Sequence, residues 1–73
     1  MEQNLNKIIS KNLKGARERT GLTQTAYAEA LGSNRTTMYL YESGRRIIPT
    51  EMLYKIYKTF GTTPNEMLGI DDM

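Results

Sequence analysis

Residues 23–44 read TQTAYAEALGSNRTTMYLYESG, and the caps and glycines of this stretch predict two short helices. Thr23 is a suitable N-cap for a short helix that ends at Gly32. After the turn, Asn34 or the serine before it can cap a second helix, which stops before the last glycine of the stretch. Two short helices joined by a turn with glycine predict a helix-turn-helix unit over about residues 24–43.

A helix is also predicted before this unit, over residues 5–20 and ending at Thr20-Gly21. Its apolar residues recur at helical spacing and are Leu5, Ile8, Ile9, Leu13 and Ala16. Gly15 lies inside this helix, where glycine costs about 1 kcal/mol relative to alanine. It marks either a close contact between helices or a surface position that nothing packs against.

Two more helices are predicted after the unit. Ile47 and Ile48 stand beside Pro49, so we expect a loop whose apolar part returns to the core. Thr50 is a candidate cap for the fourth helix, and residues 63–66 (TPNE) form a capping box with proline at the first position of the fifth. The apolar residues expected to close the core from these helices are Leu53, Ile56, Tyr57, Phe60, Met67 and Leu68.

The expected fold is therefore all-α, with five helices in a single domain over residues 1–73 and no competing strand pattern. The chain has no cysteine and no histidine, which excludes a disulfide framework and an ordinary zinc site. It also lacks the side chain that most often acts as a general base near neutral pH. We expect no enzymatic activity, no cofactor and no metal.

The charges are distributed unevenly along the chain. Residues 7–46 hold eight basic and three acidic residues, a net charge of +5, whereas residues 47–73 carry a net charge of −2. This asymmetry favours a face for phosphates on the N-terminal part. No apolar run approaches the ~20 residues of a membrane span and the N-terminus is no signal segment, so we expect a soluble, cytoplasmic protein without membrane contact.

The third helix has two faces. At about 100° per residue, one arc of about 140° contains Arg35, Thr36, Tyr39, Leu40 and Ser43. The opposite arc contains Thr37, Met38, Tyr41 and Glu42, and we interpret it as the packed side. The first arc suits the major groove, because arginine can bind guanine in a bidentate manner and leucine can contact a thymine methyl group. The alternative is a face for another protein.

Three pairs of residues complete the candidate site. Glu42 lies on the packed arc and needs a cationic partner, for which Arg17 is the natural candidate. Gln24 and Thr25 begin the second helix, where free backbone N–H groups attract phosphate, although ordinary capping explains each equally well. Arg45 and Arg46 follow the third helix and would flank the groove next to phosphates.

Residues 21–44 resemble the phage-repressor and Cro type of helix-turn-helix protein, often called the Xre family, and the resemblance extends over residues 13–68. It implies a lambda-repressor-like fold of five helices whose third helix lies in the major groove. By motif position it implies base reading by Arg35, Thr36, Tyr39 and Leu40, and phosphate or first-base-pair contact by Gln24. It further implies backbone contact by Asn34, Ser43, Arg45 and Arg46, and the Arg17–Glu42 ion pair. Tyr27 and Ser33 depart from the usual residues of the family.

The expected function is sequence-specific regulation of transcription, by a repressor of the phage, mobile-element or antitoxin kind. Its partner would be a two-fold operator in double-stranded DNA, bound by a homodimer whose interface includes Tyr54, Met67 and Ile70; the alternative for the last two is that they close the core. The alternative function is a protein-interaction module of the same fold. Such a module would bind another regulator or a toxin through Tyr39 and Leu40.

Overall fold

The computed structural model describes residues 4–70 and contains five α-helices. They are α1 (Leu5–Thr20), α2 (Gln24–Ala30), α3 (Arg35–Glu42), α4 (Thr50–Phe60) and α5 (Pro64–Leu68). No strand occurs within residues 4–70, and the prediction of an all-α, five-helix fold is confirmed. Because α1 packs against both α3 and α5, it is the scaffold that holds the α2–α3 pair on the rest of the molecule.

The core contains residues from every helix. Buried apolar residues are Ile9, Leu13, Ala16, Tyr27, Ala28, Leu31, Met38, Tyr41, Ile48, Met52, Ile56 and Met67. Tyr27 is fully buried and its ring stacks on Phe60, with ring centroids 4.3 Å apart and the planes 11° from parallel. Burial raises the pKa of the Tyr27 hydroxyl to about 12. This stacked pair joins α2 to the end of α4.

The buried stripe of α1 is narrower than its apolar pattern predicts. Ile9, Leu13 and Ala16 are buried, but Leu5 is 54% exposed and Ile8 is only half-buried. Leu5 lies in the first turn of α1, and Ile8 lies at the edge of the stripe at 100° per residue. Periodicity alone does not show how far along a helix its neighbours extend.

The structure corrects two expectations about α4. Pro49, not Thr50, is the N-cap residue, and no side chain caps this helix. Met52 and Ile56 form the buried face, whereas Tyr57 is 45% exposed. Tyr57 lies about 100° around the helix from Ile56 and so falls outside a face centred between Ile56 and Met52.

In the segments on either side of α4, some apolar residues are buried and others are exposed. Ile48 is buried, but Ile47 is 75% exposed, so only one of the two isoleucines returns to the core. Thr63 accepts a hydrogen bond from the Glu66 N–H, and Glu66 caps Thr63 in return, which is the predicted capping box. Met67, the residue that follows this box, is buried and closes the core. Met67 is therefore unavailable as a dimer contact.

Candidate nucleic-acid interface

Each helix of the α2–α3 pair begins at a residue whose side chain caps it. The Thr23 hydroxyl accepts a hydrogen bond from the Ala26 N–H at 3.1 Å, and Asn34 Oδ1 accepts one from the Thr37 N–H at 2.9 Å. The turn between the helices contains Gly32, whose φ of 71° lies in the left-handed region that favours glycine. These local bonds define where α2 and α3 begin on either side of the turn.

The core holds α3 by one side and leaves the other side open. Met38 and Tyr41 are buried in the cluster that also contains Leu13 and Tyr27. Residues predicted to read bases take up the outer side: Arg35 and Thr36 are exposed, and Tyr39 is 43% exposed. Leu40 is only half-buried, so a smaller part of its side chain is presented than the arc predicts. The outer side of α3 is thus a short row of arginine, threonine and tyrosine.

An ion pair joins α1 to the last turn of α3. Arg17 Nε donates to Glu42 Oε2 at 2.7 Å and Arg17 Nη2 donates to Glu42 Oε1 at 3.1 Å, with the Glu42 side chain 4% exposed. The hydrogen bond that Arg17 donates to Glu42 raises the pKa of Arg17 above its ordinary value. Arg17 Nη1 also donates to the Leu22 carbonyl oxygen at 3.0 Å. One guanidinium group therefore links the end of α3 to the segment that leads into α2.

Gln24 is part of the same network. Its Nε2 donates to Glu42 Oε1 at 3.1 Å, so the structure places this side chain on the carboxylate rather than free in solvent. Thr25, the next residue, is exposed. The Arg17–Glu42–Gln24 network thus determines where the Gln24 amide group points, which the sequence did not indicate.

An open cavity of about 290 Å³ lies above this network, between α1 and α3. Gln24, Tyr39 and Ser43 line it together with the ion pair, so three of the residues predicted to contact DNA meet there. Lys14 of α1 lines it as well, although no site role was predicted for this residue from the sequence. The signal that would have found Lys14 is its place three residues before Arg17, on the same edge of α1.

The loop after α3 is held by its backbone. The N–H groups of Arg45 and Arg46 both donate to the Leu40 carbonyl oxygen, at 3.0 and 3.2 Å. The Asn6 side chain donates to the Gly44 carbonyl oxygen at 2.8 Å, which connects this loop to α1. Both arginine side chains remain exposed, next to the end of α3. Cationic groups therefore follow directly on the exposed row of that helix.

Two other kinds of site find no support in the part of the chain from residue 4 to residue 70. No three His, Cys, Asp or Glu side chains come together there as a possible metal site. None of the helices in this range is long and apolar enough to cross a membrane.

Comparison with known proteins identifies the family. Residues 10–69 match the helix-turn-helix domain family. The chain is 32% identical over 66 residues to the antitoxin PezA of Streptococcus pneumoniae serotype 4, in a match that covers 90% of this chain and 42% of that protein. The chain thus spans less than half the length of this relative, and no solved structure matches significantly. The chain belongs to the helix-turn-helix domain family, of the Xre type that residues 21–44 resemble.

Proposed function

We propose that this protein is a sequence-specific DNA-binding regulator of transcription whose α3 reads the major groove. The exposed row Arg35, Thr36 and Tyr39 carries the proposal, because the core holds the opposite side of α3 while this row faces outward. In helix-turn-helix proteins the second helix of the unit enters the major groove with its first residues on the bases. Arg35 is the first residue of α3, and its guanidinium group can donate two hydrogen bonds to guanine, at O6 and N7.

The residues around α3 would position the protein on the sugar–phosphate backbone. Asn34, Ser43, Arg45 and Arg46 flank the two ends of the helix and are exposed, as phosphate contacts require. Gln24 would meet the backbone or the first base pair with the amide atoms that Glu42 leaves free, next to Thr25. Leu40 would contribute through its exposed part, against a thymine methyl group.

We propose that two copies bind a two-fold operator. Tyr54 and Ile70 are 60% and 56% exposed, so they remain candidates for the contact between copies. A dimer matches a palindromic operator because each copy reads one half-site, about one helical turn from the other. A cytoplasmic repressor of phage, mobile-element or antitoxin type would act in this way.

The similarity to an antitoxin favours a second partner. The relative is named an antitoxin, and the matched region is 42% of its length. We propose that this chain likewise belongs to an antitoxin-type regulator that binds a toxin in addition to DNA. A module that binds only a regulator or a toxin, through Tyr39 and Leu40, is the competing function.

Selection from a random duplex library at two salt concentrations tests these functions. Enrichment of a palindrome with half-sites about one helical turn apart supports the dimeric operator-reading regulator. Binding that is weak, without a motif and abolished by salt contradicts it and favours the interaction module. The double variant Arg35→Ala, Tyr39→Ala is expected to stay folded and to lose the motif while keeping weak salt-sensitive binding. Lys55→Ala, which removes one cation from α4 instead, is the matched control and should keep the motif.

A further inference from the structure

The cavity of about 290 Å³ between α1 and α3 opens next to the exposed row of α3. Tyr39 belongs to both features, because it lies in that row and also lines the cavity. An α-helix with its side chains is about 10–12 Å wide and the major groove is about 12 Å wide, so a helix in the groove has a sugar–phosphate strand on either side. A duplex whose bases contact the row therefore brings one strand to the flank of α3 where this cavity lies.

Lys14 brings an uncompensated positive charge to the cavity. Its side chain is exposed and forms no ion pair with any residue between 4 and 70. The other two charges of the lining, on Arg17 and Glu42, neutralise each other in an ion pair of 2.7 Å. Both Glu42 oxygens accept hydrogen bonds, Oε2 from Arg17 and Oε1 from Arg17 and Gln24. The lining therefore carries a net positive charge, which is that of Lys14.

Gln24 brings a hydrogen-bond donor whose position is fixed by Glu42. Its Nε2 carries two hydrogen atoms and uses one of them in the 3.1 Å bond to Glu42 Oε1, so the other has no partner among the described residues. The Tyr39 hydroxyl is a further donor group of the lining, whereas the Ser43 hydroxyl already donates to the Leu40 carbonyl oxygen at 3.2 Å. One cation and two neutral donors around an open cavity suit an anion with several acceptor oxygens, such as a phosphate group.

We propose that Lys14 binds a phosphate of the DNA backbone in this cavity, together with the Gln24 amide group. This contact rests on the proposed function and extends it, because α1 then takes part in DNA binding in addition to α2, α3 and the loop after α3. A lysine that binds phosphate contributes to affinity and to its salt dependence on any sequence, whereas base contacts decide the motif. Lys14 therefore raises the affinity for the operator without altering the motif.

Binding isotherms of Lys14→Gln on the selected operator test this role. Glutamine is a good helix former and position 14 is exposed, so the circular-dichroism spectrum and the melting temperature should not change. We expect about tenfold weaker binding, since both copies lose a contact, and a salt slope smaller in magnitude by about two. The selected motif should stay the same. Lys11→Gln is the matched control: it removes the same charge from α1, but Lys11 lines a separate cavity between α1 and α5. This control should bind within about twofold of the parent protein.

Neutral methylphosphonate groups in the operator locate the phosphate that Lys14 contacts. One phosphate of each half-site is replaced at a time, and every modified duplex is titrated with the parent protein and with Lys14→Gln. At one position the replacement should weaken binding of the parent about tenfold and binding of Lys14→Gln by less than about twofold, because the variant already lacks the cation. Gln24→Ala should lower the sensitivity at the same position, since both side chains bind the same phosphate.

Different results would exclude this phosphate contact alone or DNA reading as a whole. A parent protein that selects no motif would exclude the operator and the contact together. A parent protein that selects a motif, with Lys14→Gln equal to Lys11→Gln in affinity and salt slope or with no phosphate coupled to Lys14, would exclude the contact and leave the operator. NMR titration with inorganic phosphate separates the two sources of the anion. Saturable shifts at Lys14 and Gln24, combined with an operator affinity that Lys14→Gln leaves unchanged, would assign the cavity to a free anion and overturn the proposal.

Discussion

At the residue scale, Glu42 differs from the other acidic residues between 4 and 70, all of which are exposed. Its carboxylate is 4% exposed and accepts hydrogen bonds from Arg17 and from Gln24. A buried carboxylate without a cation would cost several kcal/mol, which is why the sequence pattern already required a partner. The structure adds that the partner also holds Leu22 through its carbonyl oxygen.

Replacement of Glu42 by alanine should therefore destabilise the fold. We expect Glu42→Ala to lower the free energy of unfolding by about 3–5 kcal/mol, because Arg17 would keep a largely buried charge without its partner. Urea denaturation followed by circular dichroism measures this change. Glu29→Ala, at an exposed position on α2, is the control and should stay within about 0.5 kcal/mol of the parent protein. An unchanged midpoint in Glu42→Ala would contradict a stabilising role for the pair.

Tyr27 is a second residue whose chemistry is set by burial. Its hydroxyl oxygen has no hydrogen-bond partner among the described residues, whereas its ring stacks on Phe60. Phenylalanine would keep the stack and remove the unsatisfied hydroxyl group. We therefore expect Tyr27→Phe to leave stability at pH 7 unchanged or to raise it by up to about 1 kcal/mol. Thermal unfolding of both proteins measures this change in stability. If Tyr27→Phe lowered the free energy of unfolding by more than about 1 kcal/mol, the hydroxyl group would have a stabilising partner.

The same residue predicts how stability responds to alkali. The pKa of Tyr27 rises from an ordinary value near 10 to about 12 in the folded chain, so above pH 10 the unfolded chain loses this proton first. The stabilisation is complete below pH 10 and is lost as the pH rises towards 12, by about 1.4 kcal/mol per pH unit at most. The free energy of unfolding of the parent should therefore fall by about 2 kcal/mol relative to that of Tyr27→Phe between pH 10 and 12, because phenylalanine has no such proton. A difference that is independent of pH in this range would contradict the raised pKa.

At the element scale, the helix boundaries follow from local signals with one exception. Asn34 and the Thr63–Glu66 box cap their helices as predicted, because these bonds form within four residues. Thr50 does not cap α4, since Pro49 occupies the N-cap position in its place. A capping side chain can be recognised in a sequence, but its exact register depends on how the preceding loop returns to the core.

Replacement of glycine by alanine should have opposite effects on stability at two positions, one inside a helix and one at a helix end. Gly15 lies inside α1 with room for a Cβ atom, whereas Gly61 ends α4 at a φ of 78° and also has open space around it. We expect Gly15→Ala to raise the free energy of unfolding by about 0.5–1 kcal/mol and Gly61→Ala to lower it by about 1 kcal/mol. Chemical denaturation of both variants measures the difference. Destabilisation by Gly15→Ala would show that this position is packed after all.

At the scale of the whole molecule, the basic N-terminal part and the exposed row of α3 lie on one scaffold. The proposed DNA binding should therefore depend on salt, because basic residues contact phosphates. If each copy makes about 3–5 phosphate contacts, a dimer should show a slope of log affinity against log salt of about −5 to −9. Binding isotherms at several salt concentrations measure this slope on the selected operator. Arg45→Ala should reduce the magnitude by about one to two per dimer, because each copy loses one phosphate contact. Lys58→Ala on α4 is the control and should leave the slope unchanged.

The five helices, the helix-turn-helix unit and the packed face of α3 could be predicted from the sequence, because periodicity and capping residues are local properties of a few residues. The cost of a buried charge showed that Glu42 needs a cation, and the resemblance to the Xre family implied that this cation is Arg17, 25 residues away. Three features follow from tertiary packing instead: Ile48 rather than Ile47 is buried, Met67 closes the core, and the Gln24 side chain donates to Glu42. Burial and long-range hydrogen bonds depend on which surfaces meet across the fold, and the spacing of residues along one helix does not contain that information.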